Sequence, residues 1–376
     1  MSATKNSIHP KRHQLLSEEL RKHNLDALVL NPGPSLPYLT GLHFHMSERP
    51  VVVFFSQNHQ PVVVLPELET LKLEGLDYEV QAFPYGENPI QWVESFKSAI
   101  LAAGLENARI GIEPRALRVL ELNFLQKAAP QAKFVPGESC VSALRMKKDA
   151  AEVNAMRKAA EIAQNALLAT LPSVKPGITE RQIATELTLQ LLRHGSDSQM
   201  PFSPIVSGGP NSANPHASPS DRPLQAGDLL VIDWGANVDG YFSDITRTFG
   251  IGPVEPEFAH IADIVLQANT AGREIARAGL TASEIDQATR AVIEEAGYGQ
   301  YFTHRTGHGL GLEGHEEPYI RGDNTQILEI GMSFTIEPGI YLPGRGGVRI
   351  EDDVVVTTGG IESLSSLPRQ LKILES

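Results

Sequence analysis

The sequence predicts an α/β protein with two domains, the second of which consists of two similar halves. Three observations support this prediction. A chain of 376 residues is long for a single hydrophobic core. Helical and strand patterns alternate along residues 11–137. A pattern in the second part of the chain recurs once further along, as it does in proteins built by duplication.

Composition and charge narrow the functions that the chain can serve. Apolar residues make up 41% of it and charged residues 20%, which is typical of a globular protein. The 32 lysines and arginines against 45 aspartates and glutamates give a formal net charge of −13, which disfavours binding to nucleic acid or to anionic membranes. Residues 1–14 lack the apolar stretch of a secretory signal, and Cys140 is the only cysteine. We therefore predict a cytoplasmic protein without disulfides.

Residues 1–140 are predicted to form a small α/β domain. Its elements alternate: a helix at 11–23, a strand at 27–31, and a strand pair at 51–55 and 61–65. The polar side chains of this domain show no convergent cluster of the metal-ligand or nucleophile type. A role in architecture, in dimerisation or at the rim of a pocket is favoured over chemistry.

The domain boundary is predicted near residue 140. Residues 136–139 have the turn sequence Pro-Gly-Glu-Ser, and residues 147–171 form a long run rich in alanine, glutamate and lysine that predicts a helix. The second domain then comprises residues 141–376.

The second domain contains an internal repeat. Residues 224–235 share their leucine, glycine, isoleucine and acidic positions with residues 328–339, and residues 177–183 share theirs with residues 279–285. Each copy carries a capping box that can satisfy free amides at a helix start, formed by Thr179 with Gln182 and by Thr281 with Glu284. Two matches in the same order predict two halves, each made of two helices and a strand hairpin, that face each other across a pseudo-twofold axis.

Each predicted hairpin carries two carboxylates. In the first, residues 237–240 suit a type I turn, and an even-length turn centred there would place Asp233 directly opposite Asp244. A one-residue bulge would offset them by one position. In the second, Glu337 would lie close to opposite Glu351. Like charges that face each other across strands are destabilising, so a positive charge is expected between them. Because carboxylates can bridge two ions, the pattern favours a dinuclear site for hard or borderline cations.

A glycine-rich segment at residues 306–316 is expected to supply a further ligand. Residues 309–314 fit the pattern Gly-x-Gly-x-x-Gly, but the strand before it and the helix after it that a dinucleotide site requires are missing, so we reject that interpretation. The glycines would instead let the backbone pass close to a ligand and carry His308 and His315 into the cleft.

Taken together, these residues resemble the pita-bread metallopeptidases, specifically the branch of prolidase and Xaa-Pro aminopeptidase. The resemblance covers the whole chain, as a creatinase-like N-terminal domain followed by a duplicated pita-bread catalytic domain with pseudo-twofold symmetry. The segments close to the signatures of that branch are residues 214–216, 233–235, 243–247, 307–309, 336–339 and 348–352.

The resemblance implies a centre of two divalent metal ions, with manganese favoured and cobalt or zinc as alternatives. Asp233 would hold one ion, Asp244 and Glu351 would bridge both, and His308 and Glu337 would hold the second. None of the five is substituted, which disfavours the creatinase-like relatives that have lost the metal. The short separation of Glu337 and Glu351, together with the N-terminal domain, argues against a methionine aminopeptidase.

The resemblance also implies hydrolysis of the bond before proline in substrates with a free amino terminus. Two ions would lower the pKa of a shared water, and Glu337 would pass its proton to the leaving nitrogen. His216 and His315 would donate hydrogen bonds near the carbonyl, where charge develops. Arg349 would orient the carboxylates, and Tyr341 would add a hydroxyl donor.

Two activities and one non-catalytic function remain open at this point. Prolidases cleave dipeptides and Xaa-Pro aminopeptidases cleave longer peptides with the same motif set; the compact N-terminal segment favours a prolidase. Arg321 would contact the C-terminal carboxylate of a dipeptide, or else lie on the surface. A binding protein stabilised by calcium is the alternative of a different class. The resemblance further implies a homodimer.

Overall fold

The computed structural model describes residues 8–57 and 59–375 and divides the chain into two compact units, Met1–Arg145 and Met146–Ser376. The division lies between residues 145 and 146, after the predicted boundary near residue 140, because the helix Glu138–Arg145 packs against the first helix of the same unit. Two parts of our predictions fall outside the described residues. They are residues 1–7 of the segment examined for a secretory signal, and residue 58 between the two predicted strands.

The first unit is a six-stranded sheet with helices. Its helices are α1 Ile8–Lys22, α2 Ser35–Thr40, α3 Trp92–Ala103, α4 Val119–Ala128 and α5 Glu138–Arg145, with a 3₁₀ segment at Glu67–Leu73. Its strands are β1 Ala27–Leu30, β2 Val52–Ser56, β3 Val62–Pro66, β4 Gln81–Tyr85, β5 Arg109–Ile112 and β6 Lys133–Pro136, in the order β4-β3-β2-β1-β5-β6. The predicted strand pair is confirmed, since β2 and β3 run antiparallel with Val52 opposite Val64.

The central strands β1, β2 and β3 are apolar and almost entirely buried because both of their faces are covered. The aromatic side chains of α3 pack on the sheet together with α4, and α1 packs separately against β2. A sheet buried in this way requires runs of valine, isoleucine and leucine without polar alternation.

The second unit contains two larger sheets and four long helices. The helices are α6 Ala150–Thr170, α7 Glu180–Arg193, α8 Pro256–Ile275 and α9 Ala282–Glu295, with 3₁₀ segments at Leu171–Ser173, Gly209–Ala213 and Gly299–Tyr301. The first eight strands are β7 Ile205–Gly208, β8 Leu229–Trp234, β9 Asn237–Val238, β10 Tyr241–Phe242, β11 Ile245–Ile251, β12 Gly307–Gly309, β13 Glu316–Ile320 and β14 Ser333–Ile336. The last five are β15 Gly339–Leu342, β16 Gly346–Arg349, β17 Asp352–Thr357, β18 Gly360–Ser363 and β19 Lys372–Leu374.

The sheets follow the duplication. One has the order β19-β11-β8-β7 and the other β13-β12-β14-β17-β18, while β9-β10 and β15-β16 form two-stranded ribbons at the ends of the hairpins. The two sheets meet where Thr246 bridges Glu351. Over the described residues, none of the helices has both the length and the apolarity that a membrane span needs.

The two halves repeat each other in backbone hydrogen bonds as well as in sequence. The amide of Gly177 donates to Leu224 O at 2.8 Å, and the amide of Gly279 donates to Leu328 O at 2.9 Å. Both glycines have φ near +90°, a conformation that residues with a side chain rarely adopt. Both predicted capping boxes are present at the starts of α7 and α9.

Candidate metal centre

The first acidic hairpin has a different register from the predicted one. Asp239 and Gly240 both have positive φ and form the centre of the turn, so Val238 pairs with Tyr241, as in a type I′ hairpin. Asp233 therefore lies opposite Thr246, and Asp244 lies two residues before Thr246, directly ahead of β11. The prediction that Asp233 directly faces Asp244 was wrong because the Asp-Gly pair, and not Asn237 with Gly240, sets the turn. The two carboxylates are diagonal neighbours on one face.

The second hairpin matches the prediction. Ile336 pairs with Asp352, and Gly339 pairs with Arg349, so the same register places Glu337 opposite Glu351. Both acids lie at the point where one pair of strands gives way to the next.

His308 is carried by β12, a strand with glycines on both sides of it. A side chain at Gly307 would collide with the carbonyl of Thr335, and one at Gly309 would collide with that of Glu317. The glycines thus allow close packing against β14 and β13, while a close approach of this backbone to a ligand stays a prediction. Nδ1 of His308 lies 3.1 Å from Gly309 O, which can only accept, so the proton is on Nδ1 and the lone pair of Nε2 is free for a ligand.

The structure brings the predicted ligands together. Ligand atoms of Asp244, His308 and Glu351 lie within 4.8 Å of one another, and Nε2 of His308 is 3.4 Å from Oε1 of Glu337. Oδ1 of Asp244 and Oδ1 of Asp233 are buried without a hydrogen-bond partner. Buried carboxylate oxygens without donors are costly. These carboxylate groups therefore fit divalent cations, which carboxylate oxygens bind.

The electrostatics of the cluster point the same way. Burial, followed by the nearby Glu351 and Asp233, raises the pKa of Asp244 well above its usual range. Burial also raises the pKa of Glu337 to about 8 and that of Glu351 well above normal. Burial lowers the pKa of His308 well below its usual value. These three acids resist ionisation together unless a positive charge compensates them.

Arg349 links the two halves of the site. Its Nη2 donates to Oδ2 of Asp233 at 2.6 Å, its Nε donates to the hydroxyl of Thr246 at 3.1 Å, and its Nη1 donates to the hydroxyl of Tyr341 at 3.0 Å. The guanidinium is almost completely buried. It therefore fixes the orientation of Asp233, as a positioning residue does.

Tyr341 is engaged with a histidine that sequence analysis missed. The hydroxyl of Tyr341 lies 2.9 Å from Nε2 of His304, whose Nδ1 lies 2.8 Å from Arg305 O. Because Arg305 O only accepts, the hydroxyl proton of Tyr341 is directed at His304. Burial lowers the pKa of His304 to about 4 and raises that of Tyr341 to about 12, so both stay neutral. A direct role of Tyr341 toward the substrate stays a prediction.

His315 and His216 lie at the more exposed side of the site. The ring of His315 is 4.0 Å from the ring of His308, centroid to centroid, and its Nδ1 accepts from Arg305 at 3.4 Å. His216 is exposed and follows Pro215, whose carbonyl accepts from Nη1 of Arg349 at 3.2 Å. Burial lowers the pKa of His315 below its usual value, and the positive charge of Arg305 lowers it further.

With His304, sequence analysis missed three residues that contact the candidate site. Thr246 donates to Oε2 of Glu351 at 2.7 Å, His304 holds Tyr341, and a fully buried Asp353 accepts the amide of Asp244 at 2.9 Å. The correct hairpin register would have identified Thr246, and the acidic run at residues 351–353 was a signal for Asp353. Nothing in the pattern marked His304 apart from its place in a short run of histidines and glycines.

Comparison with known proteins agrees with this geometry. Residues 154–358 match the model of metallopeptidase family M24, and this match alone covers more than half of the chain. The chain belongs to metallopeptidase family M24. Residues 12–147 of this M24 metallopeptidase match the creatinase/prolidase N-terminal domain. The predicted family and fold class are thereby confirmed, and membership implies divalent metal ions.

Relatives of this M24 metallopeptidase extend over its whole length. The Xaa-Pro dipeptidase of Lactobacillus delbrueckii subsp. lactis is 33% identical over 362 residues, which is 96% of this chain and 98% of that protein. A crystal structure of a dipeptidase from Pyrococcus horikoshii OT3 is 38% identical with a TM-score of 0.91 and covers 96% of this chain and 100% of its own. A crystal structure of a prolidase from Thermococcus sibiricus is 34% identical with a TM-score of 0.91, and it covers 97% of this chain and 99% of its own.

Proposed function

We propose that this metallopeptidase is an Xaa-Pro dipeptidase that hydrolyses the bond before proline in dipeptides with a free amino terminus. The observation that carries the proposal is the buried group of Asp244, His308 and Glu351, whose ligand atoms lie within 4.8 Å of one another. Relatives named Xaa-Pro dipeptidase and prolidase, similar over almost the whole chain, support the substrate class. The alternative is an Xaa-Pro aminopeptidase, which acts on longer peptides.

The proposal assigns five residues to two divalent cations. Asp233 would hold one ion, Asp244 and Glu351 would bridge the two, and His308 and Glu337 would hold the second. Ions bound there would lower the pKa of a water molecule and polarise the scissile carbonyl. Four carboxylates with one imidazole suit manganese, with cobalt and zinc as alternatives.

The side chains of the protein perform the proton transfers and position the substrate. The side chain of Glu337 is 15% exposed, against 12% for Asp233 and 8% for Asp244, so a substrate can reach Glu337 from solvent. It accepts a proton from the attacking water and delivers it to the proline nitrogen. His315 and His216, both exposed, donate hydrogen bonds to the carbonyl oxygen as it becomes negative.

The preference for dipeptides is assigned to Arg305. Its guanidinium contacts His315 and stacks over the ring of Tyr319 at 4.4 Å, and among the described residues it forms no ion pair with a carboxylate. A dipeptide ends in a carboxylate one residue beyond the scissile bond, within reach of a cation beside His315. Arg321, by contrast, is 54% exposed and pairs with Asp323 at 3.1 Å, which supports its surface alternative.

A side-by-side assay tests the proposal. With added manganese, the protein should hydrolyse Ala-Pro faster than Ala-Pro-Ala, and chelator should abolish both activities. Arg305→Gln should raise KM for Ala-Pro by about 10- to 100-fold, the effect of losing one charge-assisted hydrogen bond, and should leave Ala-Pro-Ala less affected. Arg321→Gln is the matched control and should change neither. Preference for the tripeptide would indicate the aminopeptidase, and no hydrolysis of either would indicate the calcium-stabilised binding protein.

Two further properties belong to the proposal. A cytoplasmic location is supported by the single cysteine, Cys140, which is buried and reduced. A homodimer is supported only by the family resemblance. Sedimentation analysis of the purified protein measures the dimer directly.

A further inference from the structure

The segment that carries His216 is an irregular loop beside the metal centre. It begins where β7 ends, continues through the 3₁₀ segment Gly209–Ala213 and reaches residue 220 without another strand or helix. Its carbonyl at Pro215 contacts Arg349, which in turn holds Asp233. The place of the His216 side chain therefore depends on how the two ends of this loop are held.

One carboxylate holds both ends. Oε1 of Glu180 accepts the amide of Gly208 at 2.7 Å and Nδ2 of Asn211 at 3.0 Å, at the start of the loop. Oε2 of Glu180 accepts the amide of Ser220 at 2.9 Å and its hydroxyl at 2.6 Å, at the end of the loop. The side chain of Glu180 is completely buried. Every partner donates, as an ionised carboxylate requires.

The duplication shows that the helix itself does not need this carboxylate. Glu180 is the first residue of α7, directly after the capping residue Thr179, and the equivalent position after Thr281 in the other half is Ala282. Both helices are capped in the same way by their threonines. The carboxylate is thus an addition to one half, and its partners all belong to the segment that carries His216.

We propose that Glu180 is a positioning residue that holds the His216 loop against the metal centre, an inference that rests on the proposed function. A buried carboxylate with four donors fixes both ends of a flexible segment and so reduces the number of places that His216 can occupy. Displacement of a catalytic group by about 1 Å can cost about 10²-fold in rate. Glu180 reaches the reaction only through this loop.

The test compares Glu180→Gln with Gln182→Ala. The glutamine keeps the size of Glu180 but replaces one acceptor oxygen by a donor, so it cannot hold both ends of the loop. Gln182→Ala removes an exposed capping partner from the same helix start without touching the loop. Hydrogen exchange of residues 208–220 should rise about tenfold or more in Glu180→Gln, as expected for lost buried hydrogen bonds, and stay unchanged in Gln182→Ala.

Kinetics on the manganese-loaded protein separate positioning from folding. Glu180→Gln should lower kcat for Ala-Pro by about 10- to 100-fold, as supporting residues around metal sites do, with metal stoichiometry unchanged. A double variant with His216→Ala should be no slower than His216→Ala alone, because both changes remove the same contribution. Glu180→Asp should recover part of the loss, and it serves as the test variant if Glu180→Gln does not fold.

Several results would overturn the inference. One is normal kcat and normal loop exchange in folded Glu180→Gln, with only a lower melting temperature. Another is strictly additive effects of Glu180→Gln and His216→Ala. If the unaltered protein fails to cleave Ala-Pro, the proposed function fails instead. In that case, the comparison of hydrogen exchange at residues 208–220 between Glu180→Gln and Gln182→Ala still decides whether Glu180 holds the segment.

Discussion

The two halves of the catalytic domain share a scaffold and differ in the side chains placed on it. The turns before α7 and α9 have the same glycine conformation, the same backbone hydrogen bonds and the same threonine caps. The hairpins also correspond, since each presents an acid near the end of its first strand: Asp233 is the second-last residue of β8, and Glu337 directly follows β14. Duplication therefore supplied the frame of the site.

The difference lies opposite those two acids. Asp233 faces Thr246, whereas Glu337 faces Glu351, and these two partners bridge each other where the sheets meet. One half thus contributes a neutral hydroxyl at the junction, and that hydroxyl donates to Glu351 at 2.7 Å. A second carboxylate at that point would add like-charge repulsion to a cluster that is already poorly solvated. The asymmetry limits the charge that bound ions must compensate.

The two loops that carry histidines are also held in similar ways by different partners. The loop with His216 is held by hydrogen bonds to Glu180, while the segment with His315 continues into Glu316, which forms a buried ion pair with Lys148 at 2.6 Å. Any side chain at Gly311 would press against this pair. Both loops are anchored by a buried carboxylate, but with different partners.

The largest expected effect is a loss of activity on replacing Asp244, the carboxylate of the first half that is proposed to bridge the two ions. Asp244→Asn should lower manganese-dependent turnover of Ala-Pro by at least about 10³-fold, because several kcal/mol of metal-derived stabilisation would be lost. Asp239→Asn, at the exposed tip of the same hairpin, is the matched control, since asparagine tolerates its positive φ. Steady-state kinetics and metal analysis measure both. Near-normal activity of Asp244→Asn would contradict the bridging role.

An intermediate effect is expected on the stability of the metal-free protein. Glu337, with a pKa of about 8, and Glu351 and Asp244, with raised pKa values, keep protons in the folded state that the unfolded chain has released. Stability should therefore be highest at low pH and fall as pH rises toward 8, by about 1.4 kcal/mol per pH unit for each such proton. Lowered histidine pKa values act in the opposite direction, but only below about pH 6.5.

Urea unfolding of the protein in the presence of a chelator, between pH 6.5 and 8.5, isolates the contribution of the carboxylates to stability. The midpoint should fall across this window, and manganese should remove the fall by replacing the protons. Glu337→Gln should flatten the slope in the metal-free protein. A midpoint independent of pH would mean that the acids of the second half are ionised without ions.

The smallest effect tests the shared scaffold. Thr179→Ala and Thr281→Ala each remove the side-chain acceptor for the amide three residues on, at 3.2 and 3.3 Å. Each change should cost about 1 kcal/mol, as capping residues do, and the two losses should be similar. Thermal or urea unfolding measures both. A loss confined to one variant would show that the two helix starts are not equivalent in energy.

The sequence predicted the larger features of the fold, and it supplied the residues of the proposed metal site. The repeat, both capping boxes and the acid positions in the second hairpin were readable, because they depend on short local patterns. The first hairpin was read wrongly because Asn237 and Asp239 both suit turns, and only pairing of the flanking strands selects Asp239-Gly240. His304 escaped notice because its role comes from Tyr341, far along the chain.

The sequence by itself determined the residue types of the proposed metal centre and the duplication that brings them into two hairpins, since both depend on spacing along the chain. Only the tertiary structure decided which acids face each other, that Arg349 crosses from one half to hold Asp233, and that Glu180 closes the His216 loop. These contacts join residues distant in the chain, so they follow from strand register and packing rather than from any local pattern.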